Sequence, residues 1–261
     1  MANYNIIGSS YNVTRKADPF IVQQLLHLLA PKKDLKYIDI GCGTGNYTIA
    51  LFESGITIQG LEPSEKMLAV AYSKNDEINW TIGVAENLPF KDNYFSGAIA
   101  TLTIHHWQDL NKSFKEIYRV IKPGGHLIIF TATAEQMQNY WLMHYFPLMM
   151  KNAIQQMPSL ADITQAANTA GFELSLELPY FVQDDLQDLF LYSGKSNPSF
   201  YLNNNARQNI SSFASLSSNE EVAFGANMLS ADITNGKFDA VKKSFDDEKG
   251  DYLFLKICKP G

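Results

Sequence analysis

Hydrophobic and polar positions alternate along the first 132 residues in a rhythm of short apolar runs and amphipathic segments. The apolar runs predict strands at 35–40, 56–61, 80–83, 95–102 and 126–131. Helical periodicity fills most of the intervals, and the Lys122-Pro123-Gly124-Gly125 run is predicted to end the helix before the fifth strand. Strands that alternate with helices predict a parallel sheet covered by helices on both faces.

The rhythm changes after Thr133. A helical pattern covers 134–151, where methionine and aromatic residues are crowded, and a second one covers 159–170. Two further strands are predicted at 172–178 and 251–258, which brings the sheet to seven strands. Because the last strand is expected to rejoin the sheet, the mostly helical stretch 184–245 is interpreted as an insertion and not as an independent domain.

Composition narrows the class of protein. The chain has 261 residues, of which 46% are hydrophobic and 18% charged, as in globular proteins. Its 21 basic and 27 acidic residues give a net charge of −6, which disfavours a nucleic-acid or anionic-membrane partner. Two cysteines are too few for a disulfide framework or a thiolate metal cluster, so we expect no metal site and a cytoplasmic location. No apolar run reaches the ~18 residues of a membrane span, and the N-terminus does not resemble a secretory signal.

The most informative segment joins the first strand to the next helix. It reads Tyr37-Ile38-Asp39-Ile40-Gly41-Cys42-Gly43-Thr44-Gly45-Asn46, with glycine at every second position of the loop. Such a loop lets the backbone approach a ligand without a side-chain clash, and the helix that follows presents free N–H groups. The carboxyl ends of strands are where open α/β sheets bind their ligands.

Two acids indicate the kind of ligand. Glu62 ends the second strand, 17 residues after Gly45, where a carboxylate can accept hydrogen bonds from a ribose diol. Asp39 would repel a phosphate but suits a ligand with an ammonium and a sulfonium. Asn46 also stands where a dinucleotide motif requires its third glycine. This polarity favours S-adenosylmethionine over a nicotinamide dinucleotide.

Five ordered motifs then carry a family resemblance. They are Ile38 to Gly45, Glu62-Pro63-Ser64 with Met67, Ala85 to Phe90, His105-His106-Trp107, and Arg119 to Gly125. The set resembles class I S-adenosylmethionine-dependent methyltransferases, in the small-molecule (type 11) branch that includes quinone-biosynthesis and trans-aconitate enzymes. The resemblance implies an α/β fold with a Rossmann-like, doubly wound, mainly parallel seven-stranded sheet and helical insertions.

The resemblance also implies a domain plan. The whole chain, 1–261, would be a single methyltransferase domain, with a cofactor-binding half at 10–132. Helical lid or acceptor insertions would lie at 133–158 and 184–245, and the closing part of the sheet at 159–183 and 250–259.

Residue roles follow from the resemblance in the same way. The glycines of the loop would line the methionine portion of the cofactor, with Asp39 holding that end directly or through water and Glu62 gripping the ribose. Pro63 and Met67 would pack near the adenine, Ala85 and Glu86 would lie at its edge, and Thr101 and Leu102 would close over the ligand. Tyr11 and Arg15 would belong to an N-terminal lid, in which Arg15 would pair with the carboxylate of the cofactor. The predicted cofactor-binding residues are Tyr11, Arg15, Asp39, Gly41, Gly43, Gly45, Glu62, Pro63, Met67, Ala85, Glu86, Thr101 and Leu102. Many relatives carry an acid for the adenine amino group where this chain has Val84, so that contact would pass to a backbone carbonyl or to Glu86.

The reacting centre is expected beside the fourth strand. His105 and His106 follow that strand, and histidine can accept a proton near neutral pH, so one of them, preferably His106, is a candidate general base. Methyl transfer from an activated sulfonium can also proceed without a base, by alignment alone. A positioning or packing role is therefore the alternative for both histidines.

The expected activity is methyl transfer by in-line displacement to a small, partly apolar acceptor. The methionine-rich segment 137–157 and part of 184–235 are proposed to bind that acceptor, and a buried helix or a subunit interface is the alternative. Three other functions remain open at this point: a nicotinamide-dependent oxidoreductase, a non-catalytic S-adenosylmethionine-binding protein, and a nucleic-acid methyltransferase. The last is disfavoured by the acidic charge and by Thr101-Leu102-Thr103-Ile104, which is not a base-flipping motif.

Overall fold

A central sheet organises the protein, which we describe from a computed structural model covering residues 15–245 and 248–261. Within these residues seven strands form one sheet in the order β3-β2-β1-β4-β5-β7-β6. The strands are β1 (Lys36–Ile40), β2 (Thr57–Glu62), β3 (Trp80–Ile82), β4 (Phe95–Thr101), β5 (Ile121–Thr131), β6 (Glu173–Tyr180) and β7 (Tyr252–Cys258). Strands β1 to β5 pair in parallel and β7 runs antiparallel to β5, which confirms the predicted doubly wound, mainly parallel sheet.

Helices accompany the strands throughout the described residues. They are α1 (Pro19–Leu29), α2 (Asn46–Glu53), α3 (Glu65–Lys74), α4 (Leu110–Val120), α5 (Ala134–Met137), α6 (Leu142–Tyr145), α7 (Pro147–Gln155), α8 (Leu160–Ala170), α9 (Asn204–Gln208), α10 (Ser211–Leu216), α11 (Asn219–Thr234) and α12 (Phe238–Lys243). Short 3₁₀ turns cover Ile104–His106 and Pro198–Leu202. No helix in the described part of the chain is long and apolar enough to cross a membrane.

The core of the sheet forms where the sequence pattern predicts it. Ile38 of β1 and Leu127 of β5 are fully buried on one face, together with Phe114 of α4 and Ile163 of α8. On the other face α1 lies so close to β4 that a side chain at Gly97 would meet Leu29. Burial on both faces places the binding edge at the carboxyl ends of the strands.

The strand order reverses between β1 and β4. The chain moves outward from β1 to β2 and β3, then returns to β4 on the opposite side of β1. Loops diverge at such a point and leave a crevice at the strand ends. The glycine loop that follows β1 and the segment that follows β4 therefore stand side by side at this crevice.

The fifth strand corrects one sequence prediction. The Lys122 to Gly125 run was expected to separate α4 from a strand starting at His126, but β5 already begins at Ile121. Phe95 pairs with Ile121 and Gly97 pairs with His126, so β5 carries extra residues that bulge out of the ladder. Gly124 has a φ of +75° there, a conformation that glycine adopts without strain.

The described chain divides into two compact units. The sheet unit contains Ala17–Thr131, Pro158–Leu178 and Leu253–Gly261. The helical unit contains Ala132–Met157, Pro179–Tyr252 and the described residues before Ala17. The predicted insertions at 133–158 and 184–245 fall almost entirely within the helical unit.

The helix predicted over 134–151 is wrong as a single element. The structure has three short helices there, α5, α6 and α7. Pro147 cannot donate a backbone hydrogen bond and starts a new helix at its first position. Before Pro147, the main-chain N–H of Trp141 donates to the Tyr192 hydroxyl at 3.2 Å and not to a carbonyl of the preceding helical turn.

Aromatic side chains form the interior of the helical unit. Tyr140 and Tyr192 stack with ring centroids 3.9 Å apart, and the Trp141 indole packs edge-on against Tyr201 and Phe238. Met149 and Met150 are fully buried. These side chains therefore build the core of the unit, as the buried-helix alternative for the methionine-rich segment requires.

Candidate functional site

The glycine loop begins where β1 ends. The N–H groups of Gly41 and Cys42 both donate to the Leu61 carbonyl of β2, at 2.8 and 3.0 Å. Gly41, Gly43 and Gly45 all have positive φ, at +76°, +56° and +79°. Three left-handed residues in five are accessible only to glycine without strain, which explains the alternate glycines of the motif.

Packing distinguishes the three glycines. A Cβ at Gly41 would lie 2.0 Å from the Thr103 hydroxyl oxygen, and one at Gly45 would lie 2.6 Å from the Trp80 ring. At Gly43 the nearest atom would be the Met67 sulfur, at 3.9 Å. The protein itself therefore fills the space beside Gly41 and Gly45, whereas Gly43 borders open space that a ligand can occupy.

Glu62 is held against the loop at the end of β2. Its Oε2 accepts a hydrogen bond from the Gly43 N–H and its Oε1 accepts one from the Ser64 N–H, both at 3.1 Å. Burial raises the pKa of Glu62, and these two backbone donors partly offset that rise. Each oxygen keeps acceptor capacity, so the carboxylate can receive the two hydroxyls of a ribose in a fixed orientation.

Asp39 lies in β1, two residues before Gly41, and is only 2% exposed. Its Oδ2 accepts a hydrogen bond from the Thr48 hydroxyl of α2 at 2.6 Å, while its Oδ1 has no partner among the described residues. Burial raises the pKa of Asp39 to about 7, against the lowering effect of Thr48 and with a smaller raising effect of Glu62. A buried carboxylate with one unsatisfied oxygen is stabilised by a cationic ligand or by a water that relays to one.

These observations fit S-adenosylmethionine. The open side of Gly43 gives room for the ligand, Glu62 provides acceptors for a ribose diol, and Asp39 has acceptor capacity for positive charge. A dinucleotide would bring its phosphates towards the buried Asp39, and the repulsion would disfavour it.

The residues predicted at the adenine edge separate into two groups. Met67 points its sulfur towards Gly43, and Pro63 is exposed beside Glu62. Ala85 is buried, whereas the carboxylate of Glu86 accepts hydrogen bonds from the N–H groups of Gln108, at 2.6 Å, and Asp109, at 3.4 Å. Glu86 thus holds the start of α4, and its predicted contact with adenine stays a prediction.

The segment after β4 carries backbone strain. Leu102 has a φ of +52°, which is costly for a residue with a Cβ, and its N–H donates to the Phe130 carbonyl at 2.8 Å. The hydroxyl of Thr101 is buried without a partner in the described chain. Strain of this kind is typical of positions whose geometry serves a ligand.

The two histidines lie in the 3₁₀ turn that follows. Their ring centroids are 3.9 Å apart. Burial lowers the pKa of His106 to about 4, so its imidazole is neutral at pH 7 but weakly basic. A base of that strength withdraws a proton less effectively than one with a pKa near the working pH. The arrangement favours positioning over general-base catalysis for His106.

The N-terminal predictions have different outcomes. Tyr11 lies outside the described residues. The Arg15 guanidinium forms an ion pair with the buried carboxylate of Asp188 in the helical unit, through Nε to Oδ1 and Nη2 to Oδ2. A contact of Arg15 with the carboxylate of a cofactor stays a prediction.

Three residues that shape the glycine loop are not predicted by the sequence motifs. Thr103 packs against Gly41, Trp80 packs against Gly45, and the Lys74 ammonium bonds to the Thr44 carbonyl at 3.0 Å. None of them belongs to a local motif with the loop. Trp80, at the start of the third strand, is the one local signal, because so large a ring requires small neighbours such as glycine.

Comparison with known proteins identifies the family. Residues 38–129 match the family described as a methyltransferase domain. A solved structure of a candidate methyltransferase from an antibiotic biosynthesis pathway of Anabaena variabilis is 32% identical with a TM-score of 0.82, and the match covers 93% of this chain and 98% of that one. Demethylmenaquinone methyltransferase of Chlorobaculum tepidum is 26% identical over 58% of this chain and 71% of its own. The biotin biosynthesis bifunctional protein of Teredinibacter turnerae is 32% identical over 52% of this chain and 26% of its own.

Proposed function

Because the chain belongs to the class I S-adenosylmethionine-dependent methyltransferases, we propose that it methylates a small, partly apolar acceptor by in-line displacement. The family membership makes it an enzyme of methyl transfer that uses S-adenosylmethionine, and the sequence-based recognition is confirmed. The nicotinamide-dependent alternative gains no support from the comparisons. The proposal concerns the acceptor and the residues that serve the reaction.

One observation carries the assignment of the site. Glu62 binds the Gly43 N–H with one oxygen and the Ser64 N–H with the other, so the main chain fixes the orientation of the carboxylate that would accept the ribose diol. Preorganisation of this kind saves the free energy of ordering a carboxylate at the moment of binding. Gly43 leaves the space beside that carboxylate free.

Methyl transfer from a sulfonium requires little acid–base catalysis by the protein. S-adenosylmethionine supplies an activated methyl group with a neutral leaving group. Asp39 would neutralise positive charge at the methionine end, Glu62 would fix the ribose, and Thr101 and Leu102 would border the reacting centre. Orientation can account for much of the rate enhancement of a bimolecular reaction, up to roughly 7–11 kcal/mol. The weakly basic His106 is consistent with catalysis by alignment.

Acceptor choice is assigned to the helical unit. The sheet unit contains all five motifs of the cofactor half, which leaves the helical unit for recognition of the acceptor. Most aromatic and methionine residues of that unit fill its own core, but its exposed apolar residues Leu148, Phe181 and Phe224 can contact an apolar molecule. Relatives named for demethylmenaquinone and for biotin biosynthesis support an acceptor from small-molecule biosynthesis. The two free cysteines, Cys42 and Cys258, support a reducing cytoplasmic setting.

Two experiments test the proposal. Isothermal titration of the intact protein should show binding of S-adenosylmethionine and S-adenosylhomocysteine, and no binding of NAD at the same concentrations. A screen with methyl-labelled cofactor against quinone precursors, fatty acyl thioesters and free carboxylic acids should then detect label in one class.

Each result has a clear meaning. Binding of NAD alone would contradict the cofactor assignment. Transfer confined to a polar acceptor such as a nucleic acid would contradict the acceptor proposal. Cofactor binding without transfer to any acceptor class would favour the non-catalytic binding protein.

A further inference from the structure

The ammonium of Lys74 binds the glycine loop from the end of a neighbouring helix. Lys74 is the last residue of α3, and its Nζ lies 3.0 Å from the Thr44 carbonyl and 3.1 Å from the Thr44 hydroxyl. The same Nζ lies 2.8 Å from the side-chain oxygen of Asn46, the first residue of α2. One side chain thus joins the loop and the first turn of α2 to α3.

This placement combines opposing electrostatic effects. The N-terminus of α2 carries partial positive charge and disfavours a cation, whereas the C-terminus of α3, where Lys74 stands, favours one. Partial desolvation of the ammonium also lowers the pKa of Lys74, although the residue as a whole is exposed. Three oxygen acceptors compensate these costs, which indicates that the ammonium stabilises a particular conformation of the loop.

The N-terminus of α3 also contacts the glycine loop, through Glu62. Ser64 caps α3 and donates its N–H to Glu62, and Glu62 in turn accepts from Gly43. Lys74 at the far end binds Thr44, the next residue of the loop. The helix therefore braces the loop at two consecutive residues, at Gly43 through Glu62 and at Thr44 through Lys74.

Asn46 gains a physical explanation from this contact. It occupies the position where a dinucleotide motif has glycine, and its side chain accepts from Lys74. A glycine there could not complete the contact. The Asn46–Lys74 pair is thus a feature of this loop that a dinucleotide-binding loop lacks.

We propose that Lys74 is a positioning residue for the cofactor, because it holds the Thr44 carbonyl and Asn46 so that the loop keeps its ligand-binding conformation. The inference rests on the proposed function, since it concerns the same cofactor site. Lys74 does not touch the reacting atoms and acts through the loop. Its loss should weaken cofactor binding and leave the rate at saturation nearly unchanged.

The test compares Lys74→Met with Lys74→Arg, Asn46→Ala and the double variant. Lys115→Met, on the exposed face of α4, removes the same charge far from the loop and serves as the matched control. Titration with S-adenosylhomocysteine should give a Kd about tenfold weaker for Lys74→Met, as expected for the loss of one or two hydrogen bonds. Lys74→Arg should recover part of the affinity, and Lys115→Met should bind like the wild type.

The remaining readouts separate positioning from folding. In the double variant, Asn46→Ala should add little to the loss caused by Lys74→Met, because both remove the same contact. The KM for S-adenosylmethionine should rise while kcat stays within about twofold, and the melting temperature should fall by no more than it does for Lys115→Met. Unchanged affinity in Lys74→Met, or additive losses in the double variant, would overturn the inference.

Failure of the inference is distinguishable from failure of the proposed function. A wild-type protein that binds no S-adenosylhomocysteine would contradict the proposed function and the inference with it. A wild type that binds normally beside a Lys74→Met variant that binds equally well would contradict the inference alone.

Discussion

The main-chain N–H of Gly43 donates to Oε2 of Glu62 across 3.1 Å, and this bond joins the glycine loop of β1 to the acid that ends β2. The two residues are 19 positions apart in the sequence. The two residues fix each other, because the carboxylate orders the glycine loop and the loop orients the carboxylate. A ligand that binds the loop at Gly43 therefore lies next to the Glu62 carboxylate.

Glu62→Gln should weaken cofactor binding without unfolding the protein. An amide has one oxygen where the carboxylate has two acceptors, so it cannot serve Gly43, Ser64 and a ribose diol together. Hydrogen bonds to charged groups contribute roughly 1.5–3 kcal/mol, which predicts a Kd about 10- to 100-fold weaker. Titration with S-adenosylhomocysteine measures this Kd. Glu65→Gln, at the exposed start of α3, is the control. An unchanged Kd in Glu62→Gln would remove the ribose assignment.

Substitutions of the glycines should separate folding from binding. Gly43→Ala clashes with no neighbour, since the nearest atom is the Met67 sulfur at 3.9 Å, and carries only the cost of its positive φ, about 1–2 kcal/mol, but should weaken cofactor binding at least tenfold. Gly41→Ala also clashes with Thr103 and should destabilise the fold by roughly 2–4 kcal/mol.

Gly55→Ala is the matched control, with a φ of +90° and no neighbouring atom within 4 Å. Chemical unfolding and cofactor titration are measured on all three variants. Normal cofactor binding by Gly43→Ala would show that the ligand does not approach the loop at that residue.

Asp39 should make the folded state less stable as pH rises. Its pKa is raised from 3.8 to about 7 in the folded state, so the native protein holds a proton that the unfolded chain releases. The contribution of Asp39 is therefore most favourable below pH 4, declines between about pH 4 and 7, and is constant above that.

Asp39→Asn should abolish this part of the pH dependence. The free energy of unfolding of Asp39→Asn minus that of the wild type should increase from pH 4 to pH 7, as measured by urea unfolding. Asp76→Asn, on the surface, should show no such trend. A difference that is flat with pH would mean that Asp39 is not protonated in the folded state near neutrality.

Replacement of either histidine by alanine should lower the methyl-transfer rate by no more than about tenfold. The pKa of His106 is about 4, so its ionisation should not shape the rate between pH 6 and 8. General-base catalysis contributes typically 10²–10⁴-fold, whereas loss of a positioning contact should cost no more than about tenfold. Single-turnover rates with saturating cofactor distinguish the two cases. A hundredfold loss in His106→Ala, with normal cofactor binding, would restore the general-base hypothesis.

The cofactor half could be predicted because its signals are local. The strand and the alternating glycines are contiguous in the sequence, and Glu62 follows 17 residues after Gly45, at a spacing that is known for ribose-binding acids. Thr103 and Lys74 escaped prediction because their partners, Gly41 and Thr44, lie 62 and 30 positions away. Periodicity carries no information about such pairs.

The helical unit was predicted less well for a related reason. Helical periodicity over 134–151 ignores Pro147 and the tertiary contact of Trp141 with Tyr192, which divide the segment into three helices. Strand β5 shows the converse effect. Pairing of Ile121 with Phe95 of β4, and main-chain hydrogen bonds of Gly124 and Gly125 with Lys259, extend it through a Pro-Gly-Gly run that local preferences would leave outside a strand.

The most direct test of the account is a crystal structure of the protein with S-adenosylhomocysteine. We predict both ribose hydroxyls within about 3.2 Å of the Glu62 carboxylate oxygens, and the ligand in contact with Gly43. The ligand at another place, or a ribose that does not contact Glu62, would contradict the central claim that this loop and this acid form the cofactor site.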